Sequence, residues 1–500
     1  MNMKKLFTLM MVAMTVLVAR ATDYTVPIVV TVNGEVHSQE GTITITQEDG
    51  LYSLSLNNFI LMNGENPMGV GNIALTGIEP MTIGSAVLLD VNREVIISEG
   101  DDPSIHMWMG PLLPSIPIEL RAVLEGDCLN AVIDIDMSLL LQQIIRVTIG
   151  TGMQFVNQGF EEWHTSAEGY VEPNGWHSFE SASGDPNLVA FSGHHIEKSD
   201  KGRNESSCAR IYATDMWLAI ANGTMTTGRL NAGDMSASST KNNAYLDMSK
   251  TDTDGNGDPF HMPLNARPDS LVVWLQFHQG KTVADHPYAT VSAAITDGTY
   301  YQDPQDKEYS NVVATAANRT IAVTGDEWQR FSMPFEYKEN SLDLKAILVT
   351  ISTNADAGKG SDKDEVLVDD IELVYNGQLQ SLNVPGFTPD VLSYEVQEAM
   401  ALDEIVAEPQ GRGAYVVKSF GESEDGKVQA EIKVISADLS TVTVYTVKFM
   451  NTSVGITSID SATATPTVYS LSGQQLRSSR PGQIVIQRHP DGRYVKVTSK

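Results

Sequence analysis

The chain has 500 residues, more than one β-rich core usually holds, so we expect several domains. Its formal net charge of −30 repels phosphate backbones and anionic lipid, which argues against nucleic-acid binding and membrane-surface binding. It contains two cysteines, Cys128 and Cys208, which exclude a disulfide framework, and no disulfide-linked partner is expected. The charge imbalance is also local, because residues 6–197 contain no lysine.

The first 21 residues have the pattern of a signal peptide. Two lysines precede an apolar run over residues 6–18, and a small-x-small sequence ends at Ala21. The apolar run is too short to span a bilayer as a permanent helix. The sequence therefore predicts an exported chain, cleaved near Ala21, that is secreted or displayed on the outer cell surface.

Residues 22–150 carry short alternating strand patterns separated by glycine-containing turns. The clearest is the run 52–56, in which aromatic or apolar residues alternate strictly with serine. About eight such strands predict an up-and-down β-barrel, whose closure removes exposed strand edges. The apolar run 138–145 follows them and predicts either a short helix that seals the barrel or a linker.

Two short motifs of this region resemble a known family. They are YSLSLNNF at residues 52–59 and VGNI at residues 70–73, and they resemble the calycin-like barrel domain of exported proteins from gut Bacteroidetes. A barrel of this type can hold a small apolar ligand in its mouth. Residues that could line such a mouth, but that more often form plain core in a small barrel, are Met62, Met68, Met107, Trp108 and Met109.

Residues 153–376 predict a second all-β domain with legible strands. In the run 271–278, residues of one parity are all apolar and face a core, because side chains alternate across a pleated sheet. The runs 291–295 and 347–351 alternate in the same way. Such strands describe a jelly-roll β-sandwich with a usable outer surface.

The residues that face away from this core have the chemistry of a sugar-binding surface. An aromatic ring offers an apolar plane to a pyranose, while amides and hydroxyls exchange directional hydrogen bonds with its hydroxyl groups. The competing interpretation is a sheet face covered by loops. The candidate glycan-contacting residues are Trp274, Gln276, His278 and Tyr288.

Five motifs of the central region resemble one family. They are GFEEW at 159–163, PNGW at 173–176, NARP at 265–268, ISTNADAG at 351–358 and VDDIELVYN at 368–376. Together they resemble the putative carbohydrate metabolism domain of Bacteroidetes surface and secreted proteins. The resemblance implies a jelly roll similar to carbohydrate-binding modules, with a structural calcium where a Phe-Glu near the first strand meets an Asp-Asp on the last strand.

The residues themselves support part of this calcium site. Asp369 shares its parity with Leu367, Ile371 and Leu373, which places its carboxylate on the inward side of the last strand. A buried carboxylate needs a partner, and calcium is a suitable one. The alternative is that Asp369 sits at an exposed strand start and binds water. The predicted ligands are Asp369 and Glu161, with Asp370 or Glu162 as substitutes if the register differs.

A second calcium candidate is the acidic loop at residues 252–258. Its oxygen ligands stand at alternate positions, and Gly257 stands where a calcium loop turns sharply. The twelfth position is Pro263 instead of a bidentate Glu, so an acidic hairpin turn is the competing interpretation. The candidate ligands are Asp252, Asp254, Asn256 and Asp258.

Catalytic signatures are absent from the sequence: it contains no HExxH, GxSxG, paired CxxC or Walker loop. A pair of Asp or Glu residues in the central domain could still serve a glycosidase, but 63 acidic residues make chance pairs common. We expect His194, His195 and His261 in turns, since no matching ligand cluster accompanies them. The balance is therefore against an enzyme.

Residues 378–451 predict a small β-sandwich. The motifs SLNVPGF at 381–387, LSYEV at 392–396 and VYTVKF at 444–449 resemble the cadherin-like β-sandwich appended to many bacterial exported proteins. That resemblance implies a spacer module.

Residues 453–500 combine a Ser/Thr/Ala-rich linker with a basic end. The motif TVYSLSGQQL at 467–476 resembles the C-terminal sorting domain of the type IX secretion pathway, although PGQIVI at 481–486 replaces the usual Gly-aromatic-Tyr strand. Outer-membrane or secretion machinery is therefore a candidate partner.

The sequence predicts an all-β multidomain protein with a calycin-like β-barrel, a central jelly-roll β-sandwich and a small C-terminal β-sandwich. The favoured function is an exported, non-catalytic carbohydrate-binding protein of a gut-type Bacteroidetes bacterium, with glycan or polysaccharide as partner and calcium as structural cofactor. One rival is a glycoside hydrolase or other carbohydrate-active enzyme that uses an Asp/Glu pair in the central domain. The other is a carrier that holds a small apolar ligand in the barrel.

Overall fold

The computed structural model describes residues 20–451, apart from 64–65, 167–168, 218, 341 and 424–425, and four strands between residues 467 and 498. The predicted leader, up to residue 19, and most of the predicted sorting-like tail lie outside the described residues. The fold is all-β and multidomain, as predicted. Over the described part of the chain, no helix combines the length and hydropathy that a membrane span needs.

The chain divides into two compact units. The first consists of Met1–Gln378, Pro409–Tyr415 and Val434–Thr443, and it holds both the N-terminal sheet and the central sandwich. The second consists of Leu379–Glu408, Val416–Lys433 and Val444–Lys500.

The N-terminal sheet has nine antiparallel strands that curl around one apolar core, in the order β4-β3-β2-β1-β9-β8-β7-β6-β5. A short helix, α1 (Ser138–Leu141), precedes the last strand. The strands are β1 (Arg20–Val32), β2 (Glu35–Glu48), β3 (Leu51–Asn63), β4 (Asn66–Ile78), β5 (Pro80–Ile83), β6 (Ala86–Val95), β7 (Ile116–Glu125), β8 (Cys128–Met137) and β9 (Gln143–Ile149).

The sheet is open between β4 and β5, which are its two edges. The segment 96–115 covers the free edge of β4, where the Asn72 amide donates to the Ser98 carbonyl at 2.9 Å and the Met109 amide donates to the Gly69 carbonyl at 2.8 Å. The predicted closed barrel is therefore a half-barrel. Its two edge strands, β4 and β5, do not pair with each other, and a loop protects the free edge of β4 instead.

The prediction for residues 138–145 is wrong beyond the first four residues. The helix ends at Leu141, and the next residue, Gln142, adopts a left-handed conformation with φ of 56°. The chain then enters β9, which pairs with β1 on one side and β8 on the other. Val147 and Ile149 point into the core, as expected for side chains that alternate along a strand. The second half of the apolar run is therefore the start of a ninth strand and not part of a helix or a linker.

The central sandwich is built from short strands and one helix, α2 (Pro186–Ser192), that is capped by the Asp185 side chain. Its strands are β10 (Trp163–Thr165), β11 (Val171–Pro173), β12 (Ser183–Gly184), β13 (Ile196–Ser199), β14 (Cys208–Tyr212), β15 (Thr214–Asp215), β16 (Ile220–Ala221), β17 (Thr224–Thr226), β18 (Arg229–Ala232), β19 (Asn243–Leu246), β20 (Met262–Pro263), β21 (Ser270–His278), β22 (Ala289–Thr296), β23 (Tyr301–Asp303), β24 (Val312–Ile321), β25 (Gln329–Pro334), β26 (Glu336–Tyr337), β27 (Ala346–Ser352) and β28 (Glu365–Val374).

Two antiparallel sheets form this sandwich. One has five strands in the order β13-β14-β28-β21-β25, and the other has the order β17-β27-β22-β24-β26 with β20 also paired to β27. Their inner faces share one apolar core, to which Val273, Val291 and Val349 contribute as the sequence alternation predicted. The smaller sheet β12-β18-β19-β23 and the hairpins β10-β11 and β15-β16 lie outside these two sheets.

The C-terminal region has two further sheets. In the first, β30 runs parallel to β34, and the order is β30-β34-β33-β32, with β29 and β31 paired separately. The strands are β29 (Leu379–Leu382), β30 (Ser393–Glu398), β31 (Ala407–Pro409), β32 (Tyr415–Glu422), β33 (Val428–Ile435) and β34 (Val442–Asn451). In the tail, β36-β35-β37-β38 form a sheet from β35 (Thr467–Tyr469), β36 (Gln475–Leu476), β37 (Ile484–Arg488) and β38 (Tyr494–Thr498).

Candidate functional site

Three of the four predicted glycan-contacting residues lie together on the outer face of the five-stranded sheet. The register of β21 and β28 sets Trp274 opposite Asp369, and His278 opposite Glu365. Gln276 stands between them on β21. Parity along one strand therefore identified residues that share a surface.

Two of these three side chains are covered. The Arg203 guanidinium lies over the Trp274 ring, 3.7 Å from its centroid. Gln276 is buried, and its amide donates to the Asp326 carbonyl at 3.0 Å. His278 keeps 26 % of its side chain exposed and contacts Asp326 and Glu365 at 3.2 and 3.5 Å. The loop-covered interpretation therefore describes Trp274 and Gln276, and His278 exposes part of its ring while both of its nitrogens are buried.

Tyr288 belongs to the other sheet. It precedes β22, is 39 % exposed, and its carbonyl accepts from the Ala355 amide at 2.9 Å. Since β21 and β22 lie in opposite layers of the sandwich, Tyr288 does not share a surface with Trp274. Parity tells which side of a strand faces outward, but it does not tell which sheet the strand joins.

Beside His278, an open cleft of about 630 Å³ lies along the first two strands of the five-stranded sheet. Three basic and three acidic side chains line it, and the two lysines are the first after the long lysine-free stretch. Arg210 bridges two carboxylates, with 2.6 Å to both Glu197 and Glu365. The lining residues are Glu197, Lys198, Ser199, Asp200, Lys201, Ser207, Arg210 and Glu365.

The first predicted calcium site lies next to this cleft, and its strand geometry differs from the prediction. A β-bulge at Asp370 adds one residue to β28, so Asp369 faces outward with Leu367 while Ile371 and Leu373 face the core. Asp369 is nevertheless 1 % exposed, because the loop carrying Arg203 covers it. Both the inward placement and the exposed strand start are therefore wrong.

Glu161 lies in a turn before β10, not in the first strand of the sandwich. The turn reaches β28, where the Ile371 amide donates to the Gln158 carbonyl at 3.0 Å. A methyl group added at Gly159 would stand 3.8 Å from an oxygen of both Asp369 and Asp370. Glu161, Asp369 and Asp370 therefore do converge around Gly159, and both Glu161 and Glu162 are exposed.

The positive charge among these carboxylates is supplied by the protein's own Arg203. We call Glu161, Arg203, Asp369 and Asp370 the arginine cluster. The Arg203 side chain pairs with Asp370, and its amide donates to Asp369 at 2.7 Å. Glu161 accepts from the Ser207 amide at 2.9 Å. Burial raises the pKa of Asp369 to about 6, against hydrogen bonds that lower it.

The second predicted calcium site does not gather its oxygens around one point. Asp252 pairs with Arg229 at 2.6 Å, and Asp258 accepts from the Gly175 amide at 2.8 Å and the Asn256 side chain at 3.0 Å. Thr253 and Pro259 form a bridge that closes the loop. The loop has the geometry of an acidic hairpin turn, and Asp254 directs its Oδ2 away from the loop toward two histidines.

Asp254 turns toward residues that sequence reasoning missed. His164, Glu172 and Asp254 each present one ligand atom, and these atoms lie within 4.8 Å of one another. His177 Nδ1 stands 3.4 Å from Asp254 Oδ2, and His164 Nε2 stands 3.5 Å from it. We call His164, Glu172, His177 and Asp254 the histidine cluster. Burial lowers the pKa of His177, although the nearby carboxylates oppose this.

The three histidines singled out from the sequence do not join this cluster. His194 is exposed and pairs with Glu180. His195 is buried, and its Nδ1 lies 2.8 Å from the Tyr212 carbonyl. His261 is half-buried at a bend, and burial lowers its pKa.

The predicted apolar mouth of the N-terminal sheet is divided between core and surface. Trp108 is buried over the Gly69 backbone, to which it forms a bridge. Met62, Met68 and Met107 are exposed by 41, 42 and 62 %. These residues therefore do not line one enclosed cavity.

No protein-family model matches the chain, and no curated protein matches it. Among solved structures, it is similar to a protein of Bacteroides thetaiotaomicron described as a putative glycoside hydrolase, at 13 % identity and a TM-score of 0.35. The match covers 63 % of this chain and 92 % of that one. The likeness is weak, and the neighbour carries a carbohydrate-related description.

Proposed function

We propose that the protein is an exported, non-catalytic carbohydrate-binding protein whose central sandwich contacts glycan at the cleft beside His278. The observation that carries the proposal is the cleft itself, which is open, polar and formed by one sheet face. Its hydroxyl, carboxylate and cationic side chains supply the donors and acceptors that sugar hydroxyls need.

The charge of the cleft suits a sugar better than a strongly charged ligand. Three basic and three acidic side chains balance one another there, whereas the whole chain carries a net charge of −30. A neutral or mildly anionic glycan is therefore repelled less at this cleft than elsewhere on the surface.

Binding is favoured over hydrolysis because two of the three carboxylates that line the cleft are engaged, which leaves Asp200 without a second free carboxylate beside it. A glycosidase needs one reachable carboxyl group as acid and a second as base or nucleophile. Glu197 and Glu365 both pair with Arg210. Asp369, whose pKa is raised, lies almost fully buried beneath the Arg203 loop and cannot reach a substrate.

Two further parts of the proposal come from the sequence. The leader implies export, and the sorting-like tail implies contact with outer-membrane or secretion machinery. The calcium prediction for Glu161, Asp369 and Asp370 is supported by their convergence around Gly159, but Arg203 already pairs with Asp370, so we expect calcium to bind there only when that side chain is removed.

Calorimetric titration of the chain from residue 22 tests the function, using xylan, pectin, starch and mucin glycans as probes. Reducing sugar is assayed in the same samples. We expect binding of at least one glycan without release of sugar, and binding about 10-fold weaker in Lys201→Ala and Arg210→Gln, since each substitution removes about one charge-assisted hydrogen bond.

The matched control is Arg319→Gln, which removes an exposed arginine from the opposite sheet. It should bind like the wild-type protein. Release of sugar would support the enzyme instead. Absence of binding to every glycan, or equal loss in all three variants, would refute the assignment of the cleft.

A further inference from the structure

The histidine cluster contains four buried polar atoms that have no hydrogen-bond partner among the described residues. Each belongs to a different residue of the histidine cluster, and three of these residues, His164, Glu172 and Asp254, have ligand atoms within 4.8 Å of one another. The four unpaired atoms are His164 Nε2, Glu172 Oε2, His177 Nδ1 and Asp254 Oδ2. Buried polar atoms are normally paired, so four unpaired atoms in neighbouring residues indicate a missing ligand.

The imidazole rings are held so that their free nitrogens point inward. His164 Nδ1 lies 3.2 Å from the Asn174 side-chain oxygen, and His177 Nε2 lies 3.3 Å from the Pro259 carbonyl. Because these oxygens only accept, each contacted nitrogen carries the proton and the other keeps its lone pair. Such outer partners are typical of metal-binding histidines.

The two carboxylates are oriented in the same way. Glu172 Oε1 accepts from the Ser178 amide and hydroxyl, both at 2.6 Å. Asp254 Oδ1 accepts from the amides of Asn256 and Asp258 at 2.8 and 2.9 Å. In each side chain, therefore, one oxygen is fixed by the protein and the other is left for the central space.

The separations fit a small ion between the atoms instead of direct contact. The distances of 3.4 and 3.5 Å from Asp254 Oδ2 to the two histidine nitrogens are long for hydrogen bonds. Two ligands of a tetrahedral ion with bonds of about 2.0–2.1 Å lie about 3.3 Å apart. The side chains of His177 and Asp254 are fully buried and that of His164 is 8 % exposed, so the space is closed.

We propose that the histidine cluster binds one divalent transition-metal ion, best matched by Zn²⁺, through two imidazole nitrogens and two carboxylate oxygens. Calcium prefers six to eight oxygen ligands, so a mixed set of this kind selects against it. His164, Glu172 and Asp254 supply three ligands, and His177, whose Nδ1 lies 3.4 Å from Asp254 Oδ2, stands beside them as the fourth ligand of a tetrahedral shell of the kind typical of structural zinc.

The ion would tie three separate segments together. His164 and Glu172 come from the β10-β11 hairpin, and Asp254 comes from the acidic loop. His177 is fixed to β17, because its backbone exchanges hydrogen bonds with Thr226 at 2.8 and 2.9 Å. The metal therefore anchors the hairpin and the acidic loop to the edge of the second sheet.

Metal titration of the chain from residue 22, first stripped with a chelator, tests the site. We expect one Zn²⁺ per chain with a Kd below about 1 μM, measured against a chromogenic competitor. Co²⁺ in the same site should give the visible absorption of a tetrahedral complex. Weaker zinc binding, or stabilisation by Ca²⁺ but not by Zn²⁺, would overturn the proposal.

Matched variants assign the ligands. Asp254→Asn and His164→Gln should each weaken zinc binding about 100-fold or more, because each removes a direct ligand. Asp252→Asn, in the same loop, and His286→Gln, at a partly exposed histidine, should bind zinc like the wild-type protein. Equal affinity in all four variants would refute this ligand set, and wild-type binding decides the matter if a ligand variant fails to fold.

Discussion

The arginine cluster and the histidine cluster both gather carboxylates in the central sandwich, but only the first brings its own cation. Arg203 pairs with Asp370 and, through its amide, with Asp369. In the histidine cluster, the four inward atoms have no partner among the described residues. Since buried charge is costly without compensation, the first arrangement is complete as it stands and the second requires an added ion.

The difference shows that acidic residues alone do not mark a metal site. The sequence motifs predicted metal sites at the Asp-Asp of β28 and at the acidic loop, where carboxylate oxygens are most dense. In the structure, the indication of a metal site is a group of buried atoms without hydrogen-bond partners, two of which are imidazole nitrogens. Outer hydrogen bonds that orient each ligand side chain indicate a metal site more strongly than a high density of acidic residues does.

The largest expected effect on stability comes from a third cluster of carboxylates, in the N-terminal sheet, where Arg121 pairs with two acidic residues. Arg121 is 1 % exposed, pairs with Glu119 at 3.0 Å and with Asp134, and donates to the Leu439 carbonyl at 2.8 Å. Arg121→Met should lower the free energy of unfolding by about 3 kcal/mol, measured by urea denaturation, because the Leu439 carbonyl loses its donor and two partly exposed carboxylates lose a charge partner, although Asp134 keeps Arg146.

The control for this variant is Arg319→Met, which removes an arginine that is 61 % exposed. Its effect should stay within about 0.5 kcal/mol, as for most surface ion pairs. A similar loss in both variants would mean that burial of the arginine does not decide its contribution.

The next largest effect on stability is expected from Asp369 in the arginine cluster. Asp369→Ala removes the acceptor for the Arg203 amide at 2.7 Å and the Ser206 hydroxyl at 3.2 Å. We expect a loss of about 2 kcal/mol in the free energy of unfolding, because the amide is left unpaired. Asp252→Ala, at an exposed carboxylate, should cost much less, and addition of zinc should not change either difference.

A smaller effect follows from the pKa of Asp369, which burial raises from its ordinary value to about 6. The folded chain binds this proton more readily than the unfolded chain between pH 4 and pH 6. The contribution of Asp369 to stability therefore increases as the pH falls through about 6 and is lost above it.

Urea denaturation at pH 5 and pH 7.5 measures this dependence. The wild-type protein should exceed Asp369→Asn in stability by about 1 kcal/mol more at pH 5 than at pH 7.5. A difference that is independent of pH would show that the carboxyl group stays ionised in the folded chain.

Much of the fold is predictable from the sequence, because it depends on a period of two. Val273, Val291 and Val349 were placed in the core by alternation alone, and each is fully buried. Alternation fails where the backbone departs from a regular strand. The bulge at Asp370 reverses the parity between Val368 and Ile371, and nothing in the residue pattern marks it.

The candidate sites were less predictable because they depend on contacts between distant segments. Tyr288 and Trp274 have similar strand patterns but join different sheets. The histidine cluster combines a hairpin, a loop and a strand bridge, so its ligand spacing follows no metal-binding motif. Asp254 was identified as a ligand candidate, but its partners were expected among its sequence neighbours instead of His164, Glu172 and His177.

The smallest effect concerns calcium, and it tests whether Arg203 stands in for that ion. In the wild-type protein, added Ca²⁺ should raise the melting temperature by less than about 1 °C, because the Arg203 side chain already occupies Asp370. Arg203→Met frees the carboxylates around Gly159, and Ca²⁺ should then raise the melting temperature by about 3 °C or more. Arg330→Met, on the same sheet, is the matched control. If Ca²⁺ leaves the melting temperature of Arg203→Met unchanged, Glu161, Asp369 and Asp370 are not calcium ligands, and the arginine cluster is a purely internal ion-pair group.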